Sequence, residues 1–168
     1  MAPVLVLVGS PGAGKSSVGR RVSERLGVPF IDTDHAIEAA AGMSVSDIFV
    51  TLGEEEFRRL EAQAVATAVA DSDGVVALGG GAVMREETRE VLAGQRIVWL
   101  KVGVPDAANR VGLNQARPLL LGNVRGTLMS LLEQRNPVYE ALATNVVDTS
   151  GRNLREVTEA VLEIVRDA

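Results

Sequence analysis

The sequence contains no cysteine, which excludes disulfide bonds, thiolate nucleophiles and thiolate metal sites. Aromatic residues make up only 3% of it, so the core has to be built from valine, leucine, isoleucine and alanine. No apolar run approaches the roughly 18 residues that a membrane-spanning helix needs. The first residues lack the charged head of a secretory signal peptide. These absences favour a cytoplasmic protein that does not enter a membrane.

Negative charge exceeds positive charge, and lysine is rare. The net charge of −5 gives no reason to expect nucleic-acid binding, so any small anionic ligand must be held by local groups. Of the 17 basic residues only Lys15 and Lys101 are lysines. His35 is the only histidine. Without cysteine or histidine companions it is predicted to be a surface residue.

One of the two lysines lies in a glycine-rich segment, residues 9–16, with the sequence GSPGAGKS. This segment matches the G-x-x-x-x-G-K-[ST] pattern, and it lies between an apolar run and a helix-like stretch. Its glycines allow backbone N–H groups to converge on a phosphate, and the following helix points its positive end at the same place. Lys15 would reach the β- and γ-phosphates of ATP, and the Ser16 hydroxyl would bind Mg²⁺. The alternative, a glycine-rich turn that merely starts a helix, is disfavoured by the flanking strand and helix.

Strand-like and helix-like stretches alternate along the whole chain. Strands are predicted at 4–8, 28–31, 75–78, 97–100 and 146–148, and helices at 15–26, 35–41, 44–52, 54–71, 86–93, 105–111, 124–134 and from 154 onward. Pro137 is expected to limit the helix over 124–134. This alternation predicts one α/β domain with a parallel sheet, and ligands bind at the carboxyl ends of the strands in such sheets.

Two carboxylates, Asp32 and Asp34, follow the second predicted strand. If the chain is extended there, both side chains point the same way. One could then hold Mg²⁺ through a water molecule, and the other could orient a substrate hydroxyl and accept its proton. The alternative is that an aspartate merely caps the next helix.

Three further segments are candidates for the same site. Arg58 has Glu61 three residues later on the same helix face, where a carboxylate can hold the guanidinium in one rotamer; an exposed ion pair is the alternative. The glycines at 79–81 follow a buried strand, which indicates either close approach of a ligand to the main chain or a tight turn. Arg117 lies in a loop over 112–122 that has the character of a lid over a transferred phosphoryl group.

In this order, these segments resemble the shikimate kinase family. The resemblance rests on the phosphate loop, Asp32-Thr33-Asp34, Phe57-Arg58 with Glu61, the triple glycine, Arg117-Pro118-Leu119-Leu120, and Arg135 before Pro137-Val138-Tyr139. It implies a P-loop fold like that of nucleoside monophosphate kinases: three α/β/α layers around a five-stranded parallel sheet ordered 2-3-1-4-5. It also implies one domain over 1–168, with a substrate-binding region at about 33–61 and a lid at about 112–124.

The reaction implied by the resemblance is transfer of the ATP γ-phosphate to the 3-hydroxyl of shikimate, on the route to chorismate and the aromatic amino acids. The catalytic residues would be Lys15, Asp34 and Arg117. Shikimate would be bound by Asp34, Arg58, Gly79, Gly80, Gly81 and Arg135. The nucleotide would be bound by Gly12, Ala13, Gly14, Lys15, Ser16, Ser17, Arg110, Arg117 and Arg152, and Mg²⁺ by Ser16 and Asp32. One departure is Leu154, which stands where several family members have a proline beside the adenine.

Two other functions compete with this interpretation. The first is a different P-loop kinase of a small hydroxylated metabolite, such as a gluconate-type kinase. The second is a nucleotide-binding regulatory domain that has lost its acceptor site, because a phosphate loop alone does not establish turnover. The expected partners are ATP and shikimate, with neither nucleic acid nor membrane, and the expected oligomeric state is a monomer.

Overall fold

A computed structural model describes residues 3–103, 106 and 124–167. Its strands are β1 (Leu5–Val8), β2 (Phe30–Asp32), β3 (Val75–Ala77), β4 (Ile97–Lys101) and β5 (Asn145–Asp148). Its α-helices are α1 (Lys15–Leu26), α2 (Thr33–Ala41), α3 (Val45–Thr51), α4 (Glu54–Asp71), α5 (Glu86–Leu92), α6 (Val124–Leu142) and α7 (Leu154–Arg166), and a short 3₁₀ helix spans Ala82–Met84.

The five strands form one sheet in the order β2-β3-β1-β4-β5, and every neighbouring pair is parallel. This confirms the predicted strand order. The central strand β1 is buried on both faces, as its unbroken apolar sequence predicts. Leu5 and Leu7 pack with residues of α1 and α7 on one face, whereas Val6 and Val8 pack with residues of α4 on the other. The sheet therefore lies between two helical layers, also as predicted.

Residues 33–61, the predicted substrate-binding region, contribute a small hydrophobic cluster of their own. Ile37, Val45, Ile48 and Phe57 are all buried there. The helices are closed by local hydrogen bonds: the Ser44 hydroxyl caps α3 by accepting from the Asp47 amide, and the Glu38 carboxylate accepts from the Val45 amide. This cluster packs α2, α3 and the start of α4 together into a platform that follows β2.

Helix α6 differs from the prediction. It does not end near Pro137 but continues through that residue to Leu142. Proline removes one backbone donor and disfavours a helix interior. Here the residues that follow it bury apolar surface against the sheet: Tyr139 is almost fully buried, and Val138 and Leu142 pack against the same core. Tertiary packing therefore outweighs the local cost of the proline.

The predicted helix over 105–111, apart from Asp106, lies outside the described residues. The predicted lid does so as well, up to the first residue of α6. In the ranges that are described, no helix combines the length and apolar character that crossing a membrane requires.

Candidate active site

The phosphate loop follows β1 at the carboxyl edge of the sheet and leads into α1 at Lys15. Gly12 and Gly14 adopt positive φ angles of 84° and 90°, which residues with side chains rarely tolerate. A Cβ atom on Gly9 would lie 2.6 Å from the Leu100 carbonyl oxygen, so the loop packs directly on β4. The buried Lys15 ammonium donates hydrogen bonds to the carbonyls of Gly9 (2.7 Å) and Ser10 (3.0 Å). Lys15 therefore lies over the phosphate loop, as expected of the lysine in this motif.

Asp32 joins the phosphate loop to the second strand. The Ser16 hydroxyl donates to one of its carboxylate oxygens. The other oxygen caps α2 by accepting from the amides of Asp34 (2.9 Å) and His35 (3.3 Å). A role beside Ser16 at a magnesium site and a role as the cap of α2 are therefore compatible, since each uses a different oxygen of the Asp32 carboxylate.

Residues 32–34 are not extended, so the condition under which both carboxylates would point the same way is not met. Strand β2 ends at Asp32 and α2 begins at Thr33, so Asp34 lies in the first helical turn. The reason is the cap itself, because the Asp32 side chain satisfies two amides that open the helix. Thr33 is fully buried, and its hydroxyl donates to the Ala77 carbonyl at 3.3 Å. This bond ties α2 to β3 and places Asp34 beside the end of that strand.

The oxygens of Ser16 and Asp32 suit Mg²⁺, which prefers hard oxygen ligands. Across the described part of the chain, no group of three or more acidic, histidine or cysteine side chains could hold a metal ion. Mg²⁺ takes few protein ligands when it is bound together with phosphate groups and water. The residues present therefore fit a magnesium ion that arrives with a nucleotide.

Each glycine of the segment 79–81 makes room for a different side chain. A Cβ atom on Gly79 would lie 2.8 Å from Asp34 Oδ1 and 2.9 Å from Glu61 Oε2. On Gly81 it would lie 2.7 Å from both terminal nitrogens of Arg58. On Gly80 it would lie 3.0 Å from Arg135 Nη1. We refer to Asp34, Arg58, Glu61 and Arg135, gathered around these glycines, as the polar cluster.

Glu61 orients Arg58 within the polar cluster. Arg58 Nη1 donates to Glu61 Oε1 at 2.8 Å, and the Glu61 side chain is only 3% exposed. Burial raises the pKa of Glu61, and the neighbouring Arg58 opposes that shift. Arg58 also lies over the Phe57 ring, 5.3 Å from its centroid. By contrast, Arg59 is exposed and pairs with Glu56, as expected of a solvated side chain.

Arg135 connects the polar cluster to the phosphate loop. It lies in α6 and is 6% exposed. Burial is the main cause that lowers its pKa, and the nearby Arg58 charge acts in the same direction. Gly80 lies between Arg135 and the loop, because its Cβ position is also 3.0 Å from Pro11 Cδ. Two guanidinium groups therefore lie against neighbouring glycines beside the phosphate loop, and paired guanidinium groups can bind a carboxylate.

The remaining predicted residues are placed differently. Arg110 and Arg117 lie outside the described residues. Arg152 is exposed in the turn between β5 and α7, where its amide donates to the Thr149 carbonyl at 3.1 Å. Leu154 begins α7 and is half-buried. The structure thus places Arg152 at the carboxyl end of β5, the same edge of the sheet as the phosphate loop.

Tyr139, for which the sequence predicts no role, is buried and donates a hydrogen bond to the Gly80 carbonyl. The signal that could have revealed it is its spacing of four residues from Arg135, which places both on one helix face. The helix predicted there covers 124–134 and contains neither residue. The spacing of four residues therefore could not be used as a helical signal. The contact belongs to the part of α6 that was not expected.

Comparison with known proteins gives consistent results. The family model described as "Shikimate kinase" matches residues 11–166. A shikimate kinase from Thermobifida fusca is 57% identical over 159 residues, which cover 95% of this chain and 92% of that protein. A solved structure of shikimate kinase from Acinetobacter baumannii in complex with shikimate superposes with a TM-score of 0.94 at 32% identity, covering 99% of this chain and 94% of that one.

A gluconokinase from Sinorhizobium meliloti is more distant. Its structure superposes with a TM-score of 0.63 at 22% identity, covering 97% of this chain and 91% of that one, which shows a common fold alone. The full-length similarity, the strand order and the polar cluster beside the phosphate loop thus agree with one another. The chain belongs to the shikimate kinase family.

Proposed function

We propose that this protein transfers the γ-phosphoryl group of ATP to the 3-hydroxyl of shikimate, giving shikimate 3-phosphate and ADP. The observation that carries the proposal is the position of Gly80, which lies between the Arg135 guanidinium and Pro11 of the phosphate loop. A carboxylic acid bound by the polar cluster would therefore lie beside the end of a nucleotide bound by the loop. The reaction belongs to the route to chorismate and the aromatic amino acids, and we place it in a cytoplasmic monomer.

The nucleotide occupies the phosphate loop in this proposal. The backbone amides of residues 12–17 surround its phosphates, and Lys15 reaches the β- and γ-phosphates. Ser16 and Asp32 bind Mg²⁺, which neutralises charge on the phosphate oxygens when it is present. We also propose that Arg110, Arg117 and Arg152 contact the nucleotide, with Arg117 on the lid over 112–124.

Shikimate occupies the polar cluster, next to the platform formed by residues 33–61. Arg58 and Arg135 bind its carboxylate, since two fixed guanidinium groups supply paired donors to a planar acid. Their charge is local, which is necessary in a chain with a net charge of −5. Asp34 accepts hydrogen bonds from the hydroxyl groups, and the glycines at 79–81 allow the ring to approach the main chain.

The chemical step is a direct phosphoryl transfer. The 3-hydroxyl oxygen attacks the γ-phosphorus while the bond to the bridging oxygen of ADP breaks, and Asp34 accepts the hydroxyl proton. Lys15 and Arg117 stabilise the negative charge on the transferred group and the leaving oxygen. No covalent enzyme intermediate is needed, because positioned charge supplies the catalysis of a direct transfer.

An ADP-release assay with the purified protein, ATP and Mg²⁺ tests the function. We expect release that depends on shikimate and saturates with it, and no comparable release with gluconate or a panel of other polyols and hydroxy acids. Release with gluconate alone would favour the gluconate-type alternative. ATP binding without turnover on any acceptor would favour a regulatory domain.

Replacing Gly79 with alanine tests the close packing of the glycine segment. The new methyl group would lie 2.8 Å from Asp34 Oδ1, so the carboxylate would have to move. We expect the shikimate KM to rise about tenfold and the ATP KM to change less than about twofold. Gly94→Ala is the control, because its Cβ meets nothing within 4 Å. Its φ of 84° strains an alanine, whereas Gly79 has no positive φ, so the control adds backbone strain without crowding the polar cluster. A similar shikimate KM in both variants would contradict the assignment of Gly79.

A further inference from the structure

Tyr139 makes specific contacts in the site, yet none of the steps above uses it. It lies in α6 and is 1% exposed. Its hydroxyl donates to the Gly80 carbonyl, the middle residue of the glycine segment. Its ring packs against Trp99 of β4, with the ring centroids 5.7 Å apart and the planes inclined at 40°. A buried tyrosine whose ring and hydroxyl both have fixed partners has one orientation.

Gly80 in turn lies against Arg135. A Cβ atom on Gly80 would lie 3.0 Å from Arg135 Nη1, and Arg135 lies one helical turn from Tyr139 on α6. Among the residues that the structure describes, no carboxylate forms an ion pair with Arg135. A buried guanidinium without an ion pair depends on its neutral neighbours for its orientation.

We propose that Tyr139 is a positioning residue for the acceptor: its hydroxyl fixes the Gly80 peptide, against which the Arg135 guanidinium lies. This inference rests on the proposed function and adds a residue to its acceptor site. The peptide unit is planar and trans, so the Gly81 N–H points opposite to the Gly80 carbonyl. Fixing the direction of the carbonyl therefore also fixes the direction of the N–H. The carboxylate of the acceptor then meets donors whose positions are set before it binds.

The protonation state of Tyr139 agrees with this role. Burial raises its pKa to about 12, against the opposing effect of Arg135, while Glu61 acts with burial and Arg58 against it. The hydroxyl therefore keeps its proton at any pH used for assays and remains a donor to Gly80. It positions neighbouring groups and takes no part in proton transfer.

The variant Tyr139→Phe tests the inference, because it removes the hydroxyl and retains the ring that packs on Trp99. We expect the shikimate KM to rise about tenfold, since the hydrogen bond that fixes the glycine segment is lost. The ATP KM should stay within about twofold of the wild-type value. The pH dependence of kcat should keep its shape. A purely structural role would not separate the two KM values.

Thr144→Val is the matched control. The Thr144 hydroxyl donates to the Ile97 carbonyl at 2.9 Å, but at the amino end of the sheet, away from the polar cluster. We expect its KM values for both substrates to match those of the wild type. All three proteins are assayed well below the lowest of their melting midpoints, so that each KM refers to folded protein.

The outcomes separate the inference from the proposed function. If the wild type releases no shikimate-dependent ADP, the proposed function fails, whatever the variant does. If the wild type is active and Tyr139→Phe has an unchanged shikimate KM, or equal losses for both substrates, the positioning role alone is refuted. A changed pH profile in the variant would also refute it, because Tyr139 would then take part in proton transfer.

Discussion

Replacing Lys15 with alanine is expected to leave a folded protein whose kcat is at least about a thousandfold lower. The Lys15 ammonium is buried and bonded to the Gly9 and Ser10 carbonyls, so it is held at the loop where phosphate groups would bind. In a phosphoryl transfer the protein contributes mainly positioned charge, and no other described lysine can replace this one. Steady-state ADP release and a thermal melt of the variant test the prediction.

The second lysine supplies the control. Lys101 ends β4 and is exposed, with its ammonium 5.4 Å from the centre of the Trp99 ring. Lys101→Ala removes the same charge and is expected to keep near-normal turnover. If Lys15→Ala also kept near-normal kcat, the assignment of the phosphate loop as the catalytic nucleotide site would be wrong.

Arg58→Ala is expected to raise the shikimate KM about a hundredfold and to change the ATP KM much less. The guanidinium lies against Gly81 and is oriented by Glu61, so its loss removes one of the two proposed ligands of the shikimate carboxylate. It also removes the interaction that lowers the pKa of Glu61. The buried acid will then take up a proton more readily, which limits the cost to folding. Kinetics with each substrate varied in turn provide the measurement.

Arg59 is the natural control for this experiment, because it is the next residue and carries the same charge. It is exposed and pairs with Glu56 outside the polar cluster. Arg59→Ala is expected to leave both KM values unchanged. Equal losses of shikimate and ATP affinity in Arg58→Ala would instead indicate a folding defect, and the melting midpoint would show it.

Much of the fold could be predicted because its signals are local. The apolar run before the phosphate loop is β1, and the glycine at position 27 ends α1 with a positive φ of 67°, as its position suggests. Alternating strands and helices predict a parallel sheet. The strand order came from the family resemblance, because periodicity alone does not distinguish the possible orders.

The candidate site was predictable in part. Arg58 and Glu61 are three residues apart on one helix, so their contact follows from helical spacing. Arg135 gave no such signal, since its partners at Gly80 and Pro11 are distant in the sequence and meet only in the folded chain. Its place in the prediction came from the resemblance alone.

Two local features differ from the sequence prediction because a competing contact prevailed. The Asp32 carboxylate caps α2, so the helix begins at Thr33 and residues 32–34 are not extended. This contact is local, and capping was the alternative that the sequence itself offered. Helix α6 continues past Pro137 because Tyr139 is buried there, although helix propensity predicts an end at the proline. The partners of Tyr139 are distant in the sequence, so no short window contains them.

The packing of Trp99 on Tyr139 gives this chain an intrinsic fluorescence probe near the glycine segment. Trp99 is its only tryptophan, and it contacts the ring whose hydroxyl bonds the glycine segment. The emission of a buried indole depends on the polarity and charge around it. If shikimate binds at the two arginines as proposed, we expect its binding to change the intrinsic fluorescence, which is measured without a dye, a coupling enzyme or turnover.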